Sequence, residues 1–224
     1  MSVILHGSPL SPFTRKVTLV AMEKSIAIEG KDINPYQPPE YFAEISPLRH
    51  IPVLEDGDFI LNDSSAISAY IDRAYTSLKE PLLPIESKAH GYVIWIEEYA
   101  DTALFSDISE GVFHPIFINQ LLGKPIDSEK VQETVTNILP ERLKYLENEI
   151  SGKAFFSEDR ITLADVSVYA QLANLDIAGH LPQQDTYPGL MQHYFSMKER
   201  KTSKVLQAQE AQYLDFMMSQ LKPS

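Results

Sequence analysis

With 224 residues, 44% of them hydrophobic, the chain is long enough for one large domain or two small ones with real cores. Acidic residues number 31 against 19 basic ones, for a formal net charge of -12, and there is no basic stripe with interleaved aromatics. That excludes nucleic acid as an expected partner and disfavours anionic membrane surfaces. The lack of cysteine excludes disulfides, a cysteine nucleophile and thiolate metal sites, and no metal is expected.

The start, Met-Ser-Val-Ile-Leu-His-Gly, has neither the basic end nor the apolar length of a signal peptide, and no apolar run reaches bilayer length. The expectation is a cytoplasmic protein. Val3-Ile4-Leu5 reads as a short buried strand, followed by a tight loop from Gly7. Ser11 before Pro12 is a helix start, a serine N-cap with proline at the first helical position. The helix would turn Phe13, Val17, Val20 and Ala21 to the core and leave Arg15, Lys16, Glu23 and Lys24 elsewhere. Residues 26–33 predict a second strand, residues 34–39 a proline-rich loop and residues 40–45 a short helix.

Pro52 stands at the mouth of an apolar run, where a residue without an N–H needs a reason. A cis Ile51–Pro52 bond is one, and it would turn the Ile51 backbone outward to pair with an extended peptide. Val53-Leu54 and Phe59-Ile60-Leu61, joined through Asp56-Gly57, predict a hairpin. Asp63 or Ser64 then caps a helix with apolar positions at Ala66, Ile67, Tyr70, Ile71 and Ala74. Its N-terminus is suited to a carboxylate, and the neighbouring aspartate to an amine.

Residues 76–84 read as a linker, and the composition beyond turns helical. Helical spacing runs over 86–110, an apolar stretch covers 114–122, and 127–150 is periodic with a kink or break expected at Pro140. Thr162 and Asp165 form a capping box before an all-round apolar helix over 166–178, the buried centre of a bundle. Helices over 187–199 and 203–220 complete the chain. The fold class expected is thus a small α/β unit with a four-stranded mixed sheet, packed against an all-α bundle.

Ser11-Pro12-Phe13-Thr14-Arg15-Lys16-Val17, Ser46-Pro47-Leu48-Arg49-His50-Ile51-Pro52-Val53-Leu54, Asp63-Ser64-Ser65-Ala66-Ile67 and the Thr162/Asp165 box together resemble, in order and separation, the soluble glutathione transferases of serine type. The resemblance implies a thioredoxin-like glutathione-binding domain at 1–78, a linker at 79–88 and an all-helical domain at 89–224. It implies a homodimer that binds reduced glutathione and joins its thiolate to small, mostly apolar electrophiles, a detoxification chemistry.

By the same resemblance Ser11 donates a hydrogen bond to the glutathione sulfur. Ile51, held by Pro52, pairs with the cysteinyl backbone. Asp63 and Ser64 hold the γ-glutamyl group, and His50 reaches the glycyl carboxylate. Leu10, Tyr99, Phe105 and Phe113 are candidates for the second-substrate site. Asp63 departs from the commoner glutamate, and Ser8 is a second serine in the first loop, although Ser11 is the one that caps the helix. Glu97 and Asp101 are expected mainly on a solvated helix face. A glutathione-dependent peroxidase or isomerase, or a non-catalytic interaction module on the same fold, are the alternatives.

Overall fold

The computed structural model describes residues 3–75 and 80–219. Strands β1 (Val3–Gly7), β2 (Ile28–Asp32), β3 (Val53–Asp56) and β4 (Phe59–Asn62) form a four-stranded sheet in the order β2-β1-β3-β4. β1 and β2 are parallel, while β3 runs antiparallel to both β1 and β4. Gly57, at φ 62, sits in the β3–β4 turn, a left-handed conformation that costs glycine little. Helix α1 (Pro12–Glu23) links β1 to β2, the short α2 (Phe42–Ile45) precedes β3, and α3 (Ser64–Ala74) follows β4. The mixed sheet and its helices are the expected thioredoxin-like unit. The expected junction after residue 78 falls among residues 76–79, outside the described residues.

The second unit is helical. α4 (Ser87–Tyr99) continues through π-helical Ala100–Leu104, α5 (Phe105–Ile108), π-helical Ser109–Ile118 and α6 (Asn119–Leu121). α7 (Ser128–Glu133) passes through π-helical Thr134–Ile138 into α8 (Leu139–Ile150), and α9 (Leu163–Ile177), α10 (Pro188–Lys198) and α11 (Lys201–Ser219) follow. The stretches 86–110 and 114–122 form one continuous helical run, because a π stretch carries the helix past Pro115. Pro140 does not interrupt its helical run: it follows directly on the π-helical turn Thr134–Ile138, an irregular turn of the kind that accommodates a proline ring and its missing N–H. The last predicted position of the final helix, Gln220, lies outside the described residues.

α9 is buried along almost its whole length, as the all-round apolar sequence requires. Its start is fixed by Asp165, which accepts from the Thr162 N–H at 2.8 Å and from the Phe156 N–H at 2.9 Å and lies 2.9 Å from His193 Nε2. Among the described residues no helix is long and apolar enough to cross a membrane.

The helix α1 prediction needs correction. Val17, Val20 and Ala21 are buried as expected, but so are Arg15, Lys16 and Lys24. Each of these cations has partners, which is the condition for burying a charge. Arg15 donates from Nε to Glu210 at 2.6 Å, and from Nη1 to Ala170 O and Asn174 Oδ1 at 2.7 Å each. Lys16 Nζ lies 2.9 Å from Glu97 and 3.1 Å from Ser65 Oγ, and it also bonds Asp101. Lys24 Nζ lies 3.0 Å from Asp72, whose carboxylate also accepts from the Leu82 and Leu83 N–H groups. Glu97 is therefore buried and Asp101 largely so, not on a solvated face.

Candidate functional site

Strand register gathers one set of predicted site residues. His6 of β1 pairs with Val53 of β3, and Val53 pairs with Asn62 of β4. The residues just beyond that row are Gly7, Pro52 and Asp63. The loop from Gly7 to Ser11, the entry to β3 and the start of α3 therefore emerge side by side at one sheet edge. Both α1 and α3 begin there, so two helix N-termini bring free N–H groups and positive dipole ends to the same corner.

Ser11 is the N-cap of α1, with its Oγ accepting from the Thr14 N–H at 3.4 Å and Pro12 in the first turn. The Ser11 hydroxyl hydrogen remains available for a ligand. Ser8 is buried, and its carbonyl accepts from the Ser11 N–H at 3.0 Å, so the two serines bracket one turn. The Ile51–Pro52 bond is cis. Ladder pairing in β3 begins at Val53, leaving the Ile51 backbone outside the sheet. His50 is exposed, and its carbonyl accepts from Ser46 Oγ at 2.9 Å.

Asp63 has φ 75, a region that aspartate and asparagine tolerate best among residues with a side chain. Its Oδ1 caps α3, accepting from the Ser65 and Ala66 N–H groups at 3.0 and 2.9 Å. The residue is exposed. Ser64 is buried at the first turn.

The second group of candidates separates. Leu10 and Phe113 meet in one apolar cluster with Ile118, joined by Phe117, Leu121, Ile177, Tyr213, Leu214 and Met217. Phe105 instead packs against Phe13, the rings tilted at 49° with centroids 4.5 Å apart. Tyr99 packs against Tyr145 at 4.7 Å and bonds the Arg142 carbonyl, which places it with the main core. Tyr213 is a contributor that the sequence reading missed. Its hydroxyl lies close enough to Ser8 and Asp32 to interact with both, so α11 reaches the first loop. Burial pushes the Tyr213 phenol and the Asp32 carboxyl above their ordinary values. An isolated tyrosine near the chain end carries no local sign of such a partner.

Residues 5–80 match the N-terminal domain family of the glutathione S-transferases, and residues 111–205 match the C-terminal domain family. The chain belongs to the glutathione S-transferase family. It is 28% identical to glutathione S-transferase theta-1 of Bos taurus over 176 residues, 77% of this chain and 72% of that one. Among solved structures, a glutathione S-transferase from Rhodospirillum rubrum F11 superposes with a TM-score of 0.83 at 23% identity, covering 91% of each chain, a likeness of fold. A glutathione S-transferase from Methylobacillus flagellatus, solved with GSH bound, is 27% identical with a TM-score of 0.75, over 92% of this chain and 98% of that one. As a glutathione transferase the chain joins a thioredoxin-like domain to a helical one, the architecture its sequence implies.

Proposed function

We propose that this glutathione transferase binds reduced glutathione at the corner formed by Ser11, Ile51, Pro52, Asp63 and Ser64 and adds its thiolate to small, mostly apolar electrophiles. The observation that carries the reading is the convergence of two helix N-termini with a serine hydroxyl and an outward-facing backbone at one sheet edge. The Ile51 N–H and C=O pair with the cysteinyl residue as an added strand would. The α3 N-terminus takes the γ-glutamyl carboxylate, Asp63 takes its amine, and His50 takes the glycyl end. Ser11 donates to the sulfur.

A free thiol of this type has a pKa near ~8.5 and is mostly neutral at pH 7. Bringing it to about 6.5 requires ~2.7 kcal/mol of preferential stabilisation of the anion. A hydroxyl donor and a nearby helix N-terminus together are of that order. The thiolate then attacks the electrophilic carbon of a substrate held against the Leu10–Phe113 cluster. Ser11 acts as a donor and never as a nucleophile. The reading takes the domains as 1–78 and 89–224 with a linker at 79–88, the working unit as a homodimer and the compartment as the cytoplasm.

The test follows thiolate absorbance of bound glutathione against pH, in wild type and in Ser11→Ala. A bound pKa well below 8.5 that rises in the variant supports the mechanism. An unchanged pKa in bound wild type removes the catalytic claim, and no binding removes the site.

A further inference from the structure

Tyr36 and His114 join the two domains outside the corner described above. Tyr36 lies in the loop after β2, and its hydroxyl is 2.8 Å from His114 Nε2. The rings meet edge to face at 5.8 Å. The Tyr36 N–H is itself fixed by Asn34 Oδ1 at 3.0 Å. His114 sits in the π-helical stretch Ser109–Ile118, and Ser109 Oγ lies 3.3 Å from the same Nε2. Ser109 and His114 are five residues apart. In an α-helix that spacing would turn them about 140° away from each other. A π-helix closes i to i+5, so it sets them on one face. The π geometry thus pairs Ser109 with His114 and aims the imidazole at Tyr36.

The location gives this contact a use. Phe113, next to His114, is buried against Leu10, and Leu10 directly precedes Ser11. β1 and β2 are parallel neighbours, so the loop bearing Tyr36 leaves the sheet on the same edge as the loop bearing Leu10 and Ser11. We infer that Tyr36 and His114 form a clasp across the mouth of the second-substrate site and set the size of electrophile that enters. This rests on the reading of the Leu10–Phe113 cluster as that site. Burial lowers the His114 pKa, leaving a neutral imidazole to accept, and pushes Tyr36 up to about 12, keeping the phenol a donor. A single hydrogen bond between half-open groups is worth roughly a fivefold preference for the closed state, so the clasp opens routinely.

The experiment compares methyl and benzyl isothiocyanate, which take glutathione by the same addition and differ in size. Tyr36→Phe keeps the ring contact and removes only the hydroxyl. His114→Asn is the second variant, so that neither result depends on one substitution folding. The expected result is a rise of about fivefold in the benzyl-to-methyl ratio of kcat/KM, with the KM for glutathione unchanged; fivefold corresponds to ~1 kcal/mol at 1.4 kcal/mol per tenfold. An unmoved ratio in both variants overturns the clasp. If wild type binds glutathione but adds it to neither compound, the transferase reading fails separately. Stopped-flow entry of the apolar dye anilinonaphthalene sulfonate then decides: faster entry in the variants upholds the clasp, and equal rates overturn it.

Discussion

The Lys16 ammonium, one turn into the helix that Ser11 begins, lies 2.9 Å from the carboxylate of Glu97 in the helical domain, and both side chains are buried. The same ammonium reaches Ser65, in the first turn of α3. It therefore ties the two helices of the proposed glutathione corner to α4 and the π stretch that follows it. Burial alone would lower the Lys16 pKa, but Asp101 and Glu97 outweigh it and hold the group above its ordinary value. Lys16→Met leaves two buried carboxylates without their cation. It is expected to cost ~3–5 kcal/mol, measured by urea unfolding, because a broken buried pair costs more than the intact pair contributes.

Glu210 supplies the corresponding contact for α11, through Arg15 at 2.6 Å. Glu210→Gln keeps the shape and removes the charge. Arg15 retains Ala170 O and Asn174, so the expected loss is smaller than for Lys16→Met, about 1–3 kcal/mol. Hydrogen exchange along residues 201–219 is expected to accelerate more than exchange in α9.

Asp63 separates capping from ligand binding. Asp63→Asn keeps a residue that caps helices and tolerates positive φ, so thermal stability should stay within about 0.5 kcal/mol. Loss of the charge proposed to hold the ligand ammonium should weaken glutathione binding by roughly 10–100-fold in calorimetry. Asp63→Ala should lose the same affinity and a further ~1 kcal/mol of stability. Equal glutathione affinity in all three proteins would remove Asp63 from the site.

His6 controls part of the acid response. It is buried in β1, 3.1 Å from Glu55, and burial lowers its pKa despite that carboxylate. Its folded-state pKa thus lies below the unfolded value near ~6.5. Between those values the unfolded chain binds more protons, so stability rises with pH there. The contribution is complete above about pH 6.5 and is lost as pH falls from there toward the folded-state value. His6→Gln should flatten the fall in stability measured between pH 7 and 5, whatever its effect at pH 8.

The parts legible in the sequence are those fixed by neighbours along the chain. Ser11 before Pro12, the Asp56-Gly57 turn, the Asp63 cap and the Thr162/Asp165 box each work over a few residues, and each stands where it was expected. The carboxylate partners of Arg15 and Lys16 were not legible because they lie 81 to 195 positions away. Charged side chains on a helix carry no local mark that separates a solvated face from a paired buried one. The candidate second site divided for a similar reason. Leu10 and Phe113 converge, but the helical spacing that selected Tyr99 and Phe105 says only that they are turned inward, not toward which neighbour. The π stretches left no trace beyond Pro115 and Pro140, and without them the Ser109–His114 pair cannot be foreseen.

The three buried cations of α1 and its cap have a consequence for how the molecule comes apart. Arg15 and Lys16 are neutralised by carboxylates of the helical half, and Lys24 by Asp72, whose other bonds go to the segment at Leu82 and Leu83. Neither half can loosen without stranding charge in an apolar interior. The two architectures should therefore melt as one cooperative body with a single calorimetric peak. A fragment ending near residue 80 would not fold alone: it would carry a helix whose inner face was made for a partner it no longer had.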